Sequence, residues 1–501
     1  MRIDNLIELA KSSLKLGIYV CGAVVLLYIF GYLLLYRVYL LGKKNIPVRY
    51  VLWTMIMCWY LAVVVNVTLV GRSAVTVQKI RPLFSSYREA WYTASVTDWR
   101  NIILNYCLFI PFGIWLPVGT KFFRKMYRVG IAALVLTTTI EIIQVIQKTG
   151  VFELDDILGN VLGALIGFGI FGIAYYIIGR KRNAEPWRLS SVLRLQIPLL
   201  AVIVTYICLL VVYNLKELGN NSYSFYYGFD PEILTVTSDL EFDSEPKTIS
   251  IYKAPTLSLN EAREYAYEIS DRIGSGGYKK EEEVFENMLL LRDMPDGTGN
   301  VRSGSGIIGE QHISSCVVYY RGAIYDIGLN RGSKSNIVTK SENGTIWSIE
   351  DIQENGENLA KEVLHEYGEE VPDGYTFSIW RKTKYIFDYD FVPYDGKYLY
   401  GTLSFRPDDG FVQNHVMKCD YAGDYEIISM AEAYRKITEG KFGRQHENNR
   451  KEDRLDIRIT GCELIYELDS KGYLQPDYEF SCIINGKEKE IIIPAQNKRI
   501  P

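Results

Sequence analysis

The chain has 501 residues, 48% of them hydrophobic and 23% charged, with a net charge of −4; this excludes a disordered or collagen-like chain and is long enough for more than one domain. The average conceals two unlike halves. Up to Asn214 there are 22 Lys and Arg against 9 Asp and Glu, a net of +13, whereas the remaining 33 and 50 give −17, so a boundary falls near residue 215.

In chain order, six apolar runs approach or exceed the roughly 20 residues needed to span a bilayer: 14–41, 50–70, 102–118, 129–145, 157–178 and 195–213. The first is too long for a signal-peptide core and lacks a small-residue cleavage site after it, so it reads as a retained helix. Lys43, Lys44 and Arg49, then Lys121, Arg124, Lys125 and Arg128, then Arg180, Lys181, Arg182, Arg188 and Arg194 fall on one side of these runs. The bias of basic residues toward the cytoplasm assigns that side to the cytoplasm. It places the N-terminus and the acidic half outside the cell, in a multi-pass protein of the cell membrane. Cys21, Cys58, Cys107 and Cys208 sit in apolar runs, where a thiol is a small hydrophobe.

At about 1.5 Å rise per residue, Glu141 lies ~18 Å up the fourth run, with Gln144 one turn above it and on the same face. Asp156 and Asn160 share a face where the fifth run descends from outside, behind the acids of VFELDD, and Asn105 begins the third run after Arg100. These positions converge on one depth and predict a polar pocket under the outer surface, with Arg100 or Lys148 balancing its acids. Asn and Gln in membrane helices also serve as interhelical glue, and Asp155 and Asp156 also suit a helix N-terminus. A carboxylate within a span, as at Glu141, points to a functional site or a buried partner. Gly159, Gly163 and Gly167, four apart, predict close packing of the fifth run on a neighbour. Pro111 and Pro117 predict a bend or break in the third.

The stretches NYCLFIPFG (105–113), EIIQ (141–144) and VFELDDILGNVLG (151–163), preceded by RPLF (81–84), resemble the blocks of the VanZ-like family, membrane proteins named for a teicoplanin-resistance accessory protein. The resemblance covers roughly residues 60–178. It implies a polytopic membrane protein associated with tolerance of glycopeptides or lipopeptides. Many members carry Gly-Arg before the acidic element; KTGVFELDD offers only Lys148 nearby.

From residue 215 on, hydrophobicity alternates, as in TISIYKAP, KYLYGTLSFR and LDIRITGCELIYEL, the period of half-buried strands. Three capping-box patterns, Ser258 with Glu261, Ser348 with Asp351 and Ser429 with Glu432, predict helix starts. The expected fold is an all-α membrane domain of six transmembrane helices (1–214), followed by an α+β extracytoplasmic domain (215–501) built of helix-plus-antiparallel-meander units. The stretch ISMAEAYRKITEGKF, a long hairpin and YLQPDYEF are similar to the PepSY-like extracytoplasmic regulatory domains found beside Gram-positive sensor kinases.

Gly304, Gly306 and Gly309 spell G-x-G-x-x-G between two strands, where a flexible hairpin is the simpler reading than a dinucleotide site. His312, His365, His415 and His446 lack metal-ligand spacing, so no metal or cofactor is expected. Cys316, Cys419, Cys462 and Cys482 can pair outside the cell, and a hairpin turning near Lys471 and Gly472 would bring Cys462 opposite Cys482.

Two functions remain open. One is recognition of a lipid-linked envelope component or a membrane-active antibiotic at the outer leaflet, with Arg100, Asn105, Glu141, Gln144, Asp155, Asp156 and Asn160 as the ligand-binding set and the ectodomain as a sensor. Its expected partners are a membrane lipid or lipid-linked wall precursor and a membrane sensor kinase, with no nucleic acid. The other is an enzyme acting on a lipid-linked headgroup, with Glu141 as general base or metal ligand and Asp155 and Asp156 as oxygen ligands for a divalent cation.

Overall fold

Apolar runs of membrane length fold as helices because only a helix satisfies its own backbone groups away from water. A computed structural model describes residues 15, 17–32, 47–69, 80–181, 188–272, 279–285, 287–294, 314–329, 356–366, 368–380, 384–406, 411–443 and 454–499. The helices of the first part are α1 (Gly17–Tyr32), α2 (Val48–Leu69), α3 (Ser85–Thr93), α4 (Val96–Gly119), α5 (Met126–Ile146), α6 (Leu154–Lys181), α7 (Leu189–Arg194) and α8 (Ile197–Leu215). Five of them, α2, α4, α5, α6 and α8, are long and apolar enough to cross a membrane. No residue of α8 is buried within the protein, so its apolar surface is left for lipid. The described part of the first run, α1, is shorter.

The α4–α6 contact sets the geometry of this region. A Cβ at Gly163 would stand 2.2 Å from the Tyr106 carbonyl oxygen, one at Gly167 2.1 Å from that of Ile110, and one at Gly113 1.9 Å from that of Ala164. The backbones therefore meet directly, as the four-residue glycine spacing predicts. Phe109, Phe112 and Phe168 fill the core beside the contact. Of the expected bend or break at Pro111 and Pro117, the break does not occur: α4 runs through both. Pro111 still deprives the Cys107 carbonyl of its helical donor, and the Tyr60 hydroxyl of α2 donates to the adjacent Leu108 carbonyl at 2.8 Å.

By backbone contacts the chain forms two units. One comprises Met1–Glu217, Ser222–Leu234 and Gly440–Leu455; the other comprises Leu218–Asn221, Thr235–Glu439 and Asp456–Pro501. The second is rich in sheet. Its strands are β1 (Leu234–Ser238), β2 (Lys247–Lys253), β3 (Lys279–Val284), β4 (Met288–Met294), β5 (Ser314–Tyr319), β6 (Ile324–Leu329), β7 (Thr376–Trp380), β8 (Lys384–Tyr394), β9 (Lys397–Arg406), β10 (Phe411–Asn414), β11 (Met417–Ile427), β12 (Leu455–Leu468), β13 (Tyr473–Ile484), β14 (Lys487–Pro494) and β15 (Gln496–Arg499). They pair in the order β1-β12-β13-β2-β11-β9-β10-β6-β5-β4-β3, with β14 on β13, β15 on β11 and β7 joined through β8 to β9.

Three helices each precede a run of strands: α9 (Leu259–Arg272), α10 (Gly356–Glu366) and α11 (Met430–Thr438). At α9 the capping box is reciprocal, with the Ser258 N–H donating to Glu261 at 2.7 Å and the Glu261 N–H to Ser258 Oγ at 3.4 Å. Ser429 Oγ caps α11 from the Glu432 N–H at 3.2 Å. Ser348 and Asp351 lie outside the described residues, as do the glycines 304, 306 and 309, His312 and His446. Alternation places Tyr385, Phe387 and Tyr389 of β8 inward, where they pack with Leu364 of α10 and Ile269 of α9.

The hairpin of β12 and β13 turns at the expected place, but Cys462 pairs with Phe480 and Cys482 with Ile459. An irregularity between Ile459 and Gly461 shifts the register, and the cysteines are free thiols. Cys419 lies in the core, and burial pushes its thiol up to about 12, which disfavours the reactive thiolate.

The glycine contacts give a graded test. Gly163→Ala should destabilise the detergent-purified protein by about 1–3 kcal/mol or prevent its folding. Gly159→Ala, whose Cβ would meet the Asn105 Cβ at 3.3 Å, should cost less. Thermal unfolding of the two variants side by side checks the order.

Candidate functional site

The acids ahead of α6 meet a chain segment some seventy residues earlier. Arg81 pairs with Glu153 as a parallel bridge, with its N–H donating to the Phe152 carbonyl at 2.9 Å. This brings the start of α3 over Asp155. Helix α3 has no side-chain cap of its own, and Phe84 before it adopts φ 68°, a strained conformation for a residue of its size. Asp155, only 5% exposed, supplies the cap from a distance. It accepts the N–H groups of Phe84 at 2.5 Å and Ser86 at 2.8 Å, and Ser85 Oγ at 3.4 Å. A carboxylate there meets the unpaired N–H groups and positive end of the helix.

Glu141 is 2% exposed and accepts the backbone N–H of Glu153 at 3.0 Å, just ahead of α6. Asn105 Nδ2 donates to Asp156 Oδ1 at 2.6 Å, joining α4 to α6. Asn160 Nδ2 donates to Thr137 Oγ1 at 2.8 Å, joining α6 to α5, and its buried Oδ1 has no hydrogen-bond partner among the described residues. Gln144 Nε2 donates to the Thr68 carbonyl at the end of α2 at 3.0 Å. Asn105, Glu141, Asp155 and Asp156 therefore gather around the start of α6, Asn160 lies one turn deeper, and Gln144 ties α5 to α2.

Arg81 stands among the acids, a cation not expected there from the sequence. Its guanidinium lies 3.2 Å from Glu153 and 3.5 Å from Glu89. Arg100 is half-buried in α4, and Lys148 is exposed at the turn after α5 with φ 57°. Burial opposes the Arg81 charge, but Glu153, Tyr227, Glu89 and Asp156 outweigh it and hold the group above its ordinary value.

Sequence reasoning also missed Tyr227. Its hydroxyl donates to Glu89 at 2.8 Å, and the Arg81 guanidinium stacks over its ring at 5.3 Å. Its backbone is held by the Gly443 carbonyl, which accepts the Tyr227 N–H at 3.0 Å. Burial raises the Tyr227 phenol above its ordinary value, so it remains a donor. Arg81 stands in the RPLF element and was legible there; nothing around Tyr227 marks it. Among the described residues, no three His, Cys, Asp or Glu side chains are grouped to hold a metal ion.

Residues 47–175 match the model of the VanZ/LLP1 family, so every acid of the cluster and Arg81 lie inside the match. They form a VanZ-like region. Over 85 residues the chain is 32% identical to Protein VanZ of Enterococcus faecium, a stretch covering 17% of this chain and 52% of that protein. The chain thus spans about half the length of this relative. The VanZ-like match begins ahead of the 60–178 read from the sequence and includes all of α2, whereas Tyr227 lies beyond it. Among solved structures, an uncharacterized protein from Eubacterium rectale aligns with 52% of this chain and 87% of its own at 10% identity and TM-score 0.24. The Bacillus megaterium YpeB C-terminal domain aligns with 49% and 100% at 11% identity and TM-score 0.19. Neither score is high enough to establish a shared fold.

Asp155→Ala should lower the unfolding temperature of the purified protein, the cost being about 1–2 kcal/mol for a lost cap. Asp155→Asn, which keeps one acceptor oxygen, should recover part of it. If both variants unfold with the parent, the capping role of Asp155 is wrong.

Proposed function

We propose that this protein recognises a lipid-linked envelope component or a membrane-active glycopeptide or lipopeptide at the outer leaflet and contributes to antibiotic tolerance. In this reading α1 is a sixth span, the basic loops are cytoplasmic, and the sheet domain is an extracellular sensing module of PepSY-like kind working with a sensor kinase. The observation that carries it is Glu141, a carboxylate buried on a helix of membrane length, since such a group is costly unless function requires it. The VanZ-like match over these residues supports the link to tolerance.

Glu141→Gln keeps the shape and an acceptor for the Glu153 N–H while removing the charge. It should abolish the rise in tolerated teicoplanin that the parent confers on a susceptible host, with insertion and yield unchanged. An inserted Glu141→Gln protein with full tolerance would sink the proposal.

Orientation is tested separately by cysteine labelling in a cysteine-free background. A cysteine at Lys471 should react with an impermeant reagent on intact cells, and one at Lys43 only after permeabilisation. Labelling of both from the same side would refute the arrangement.

A further inference from the structure

The sheet-rich unit contains a cavity of about 520 Å³, within the range of small-molecule sites. Its walls come from α9, the turn between β5 and β6, the segment after α10, and strands β6 and β8–β11. At its base is Glu369, 3% exposed. Tyr325 donates its hydroxyl to this carboxylate at 2.6 Å, Asn414 Nδ2 donates at 2.7 Å, and Arg272 Nη2 forms an ion pair with it. Three elements are thereby locked to the segment that carries Glu369, so the walls are organised without a ligand, which lowers the cost of binding.

The hydrogen-bond inventory of the lining is lopsided. The Glu369 oxygens are already occupied by donors from three residues. By contrast, Arg272 uses only Nη2 in hydrogen bonds among the described residues, leaving donors on Nε and Nη1. Lys418 makes no ion pair among the described residues; its ammonium stands 5.4 Å from the Tyr394 ring centre. Lys418 pairs in register with Leu399 of β9, and strand alternation puts Lys397 on that same face. Among the described residues Lys397 pairs with exposed Asp420, at 3.2 Å. Against these cations the lining adds the exposed carboxylate of Glu370.

We propose that this cavity binds a small organic anion, through a carboxylate or phosphate group met by Arg272 and Lys418 and a body lying against Tyr265 and Tyr394. The assignment deepens the reading of the sheet domain as a binding module. It is independent of the acid cluster in the VanZ-like region, so loss of tolerance in Glu141→Gln and loss of anion binding are separable.

The test is calorimetric titration of the full-length detergent-purified chain with N-acetylmuramic acid, N-acetylglucosamine 1-phosphate and neutral N-acetylglucosamine. At least one acidic probe should bind at millimolar concentration, and the neutral parent sugar should not; the one that binds identifies the anion. Lys418→Gln, at an exposed position, should weaken binding about tenfold. Glu370→Gln should strengthen it, and Lys487→Gln on β14 should leave it unchanged. Silence from both acidic probes, equal binding of the neutral sugar, or unaltered affinity in Lys418→Gln would overturn the proposal.

Discussion

A carboxylate withdrawn from water must be met by donors or by a cation, or its burial costs more than the surrounding packing returns. This protein meets that constraint repeatedly, with donors both near and remote in sequence, and much of its architecture follows. Asp155 receives the N–H groups of α3 and Glu141 that of Glu153. In the sheet-rich unit, Asp469 is 1% exposed and accepts from the N–H groups of Gly219, Lys471 and Tyr473 and from Gln475 Nε2. Two of these carboxylates help fasten segments remote in sequence: the short helix α3 in one case, the chain following α8 in another.

The second constraint is steric. Because Gly113, Gly163 and Gly167 leave no room for side chains between α4 and α6, these helices lie close enough for the short side chains of Asn105 and Asp156 to join. Bulkier residues would separate them and remove Asp156 from that partner. The apolar contact and the polar cluster are thus one design, with the glycines setting the spacing at which the amide and the carboxylate meet.

The arrangement also divides labour among the acids. Asp155 has a structural duty that consumes most of its acceptor capacity, which counts against a role for it as an oxygen ligand. Glu141 accepts the Glu153 N–H just ahead of α6, and the buried Asn160 Oδ1 has no hydrogen-bond partner among the described residues. Arg81 gathers Glu89, Glu153 and the ring of Tyr227, so the cluster is completed by a segment that follows the last long helix of this region.

Some of this was determined by the sequence alone. Runs of apolar residues dictate membrane-length helices, period-two alternation dictates the strands, glycines at four-residue spacing dictate the close helix contact, and the caps at Ser258 and Ser429 start their helices because all are local properties of the chain. The motifs around Asn105, Glu141 and Asp156 were legible for the same reason. What only the tertiary structure decided depends on which distant segments meet. The place of Arg81 among the acids follows from the bridge between Arg81 and Glu153. The recruitment of Tyr227 depends on its pairing with Gly443. The register that separates Cys462 from Cys482 turns on an irregularity at Ile459 and Gly461. The continuity of α4 through its prolines was likewise set by packing, since neighbouring helices hold a proline-containing helix together where propensity alone predicts a bend or a break.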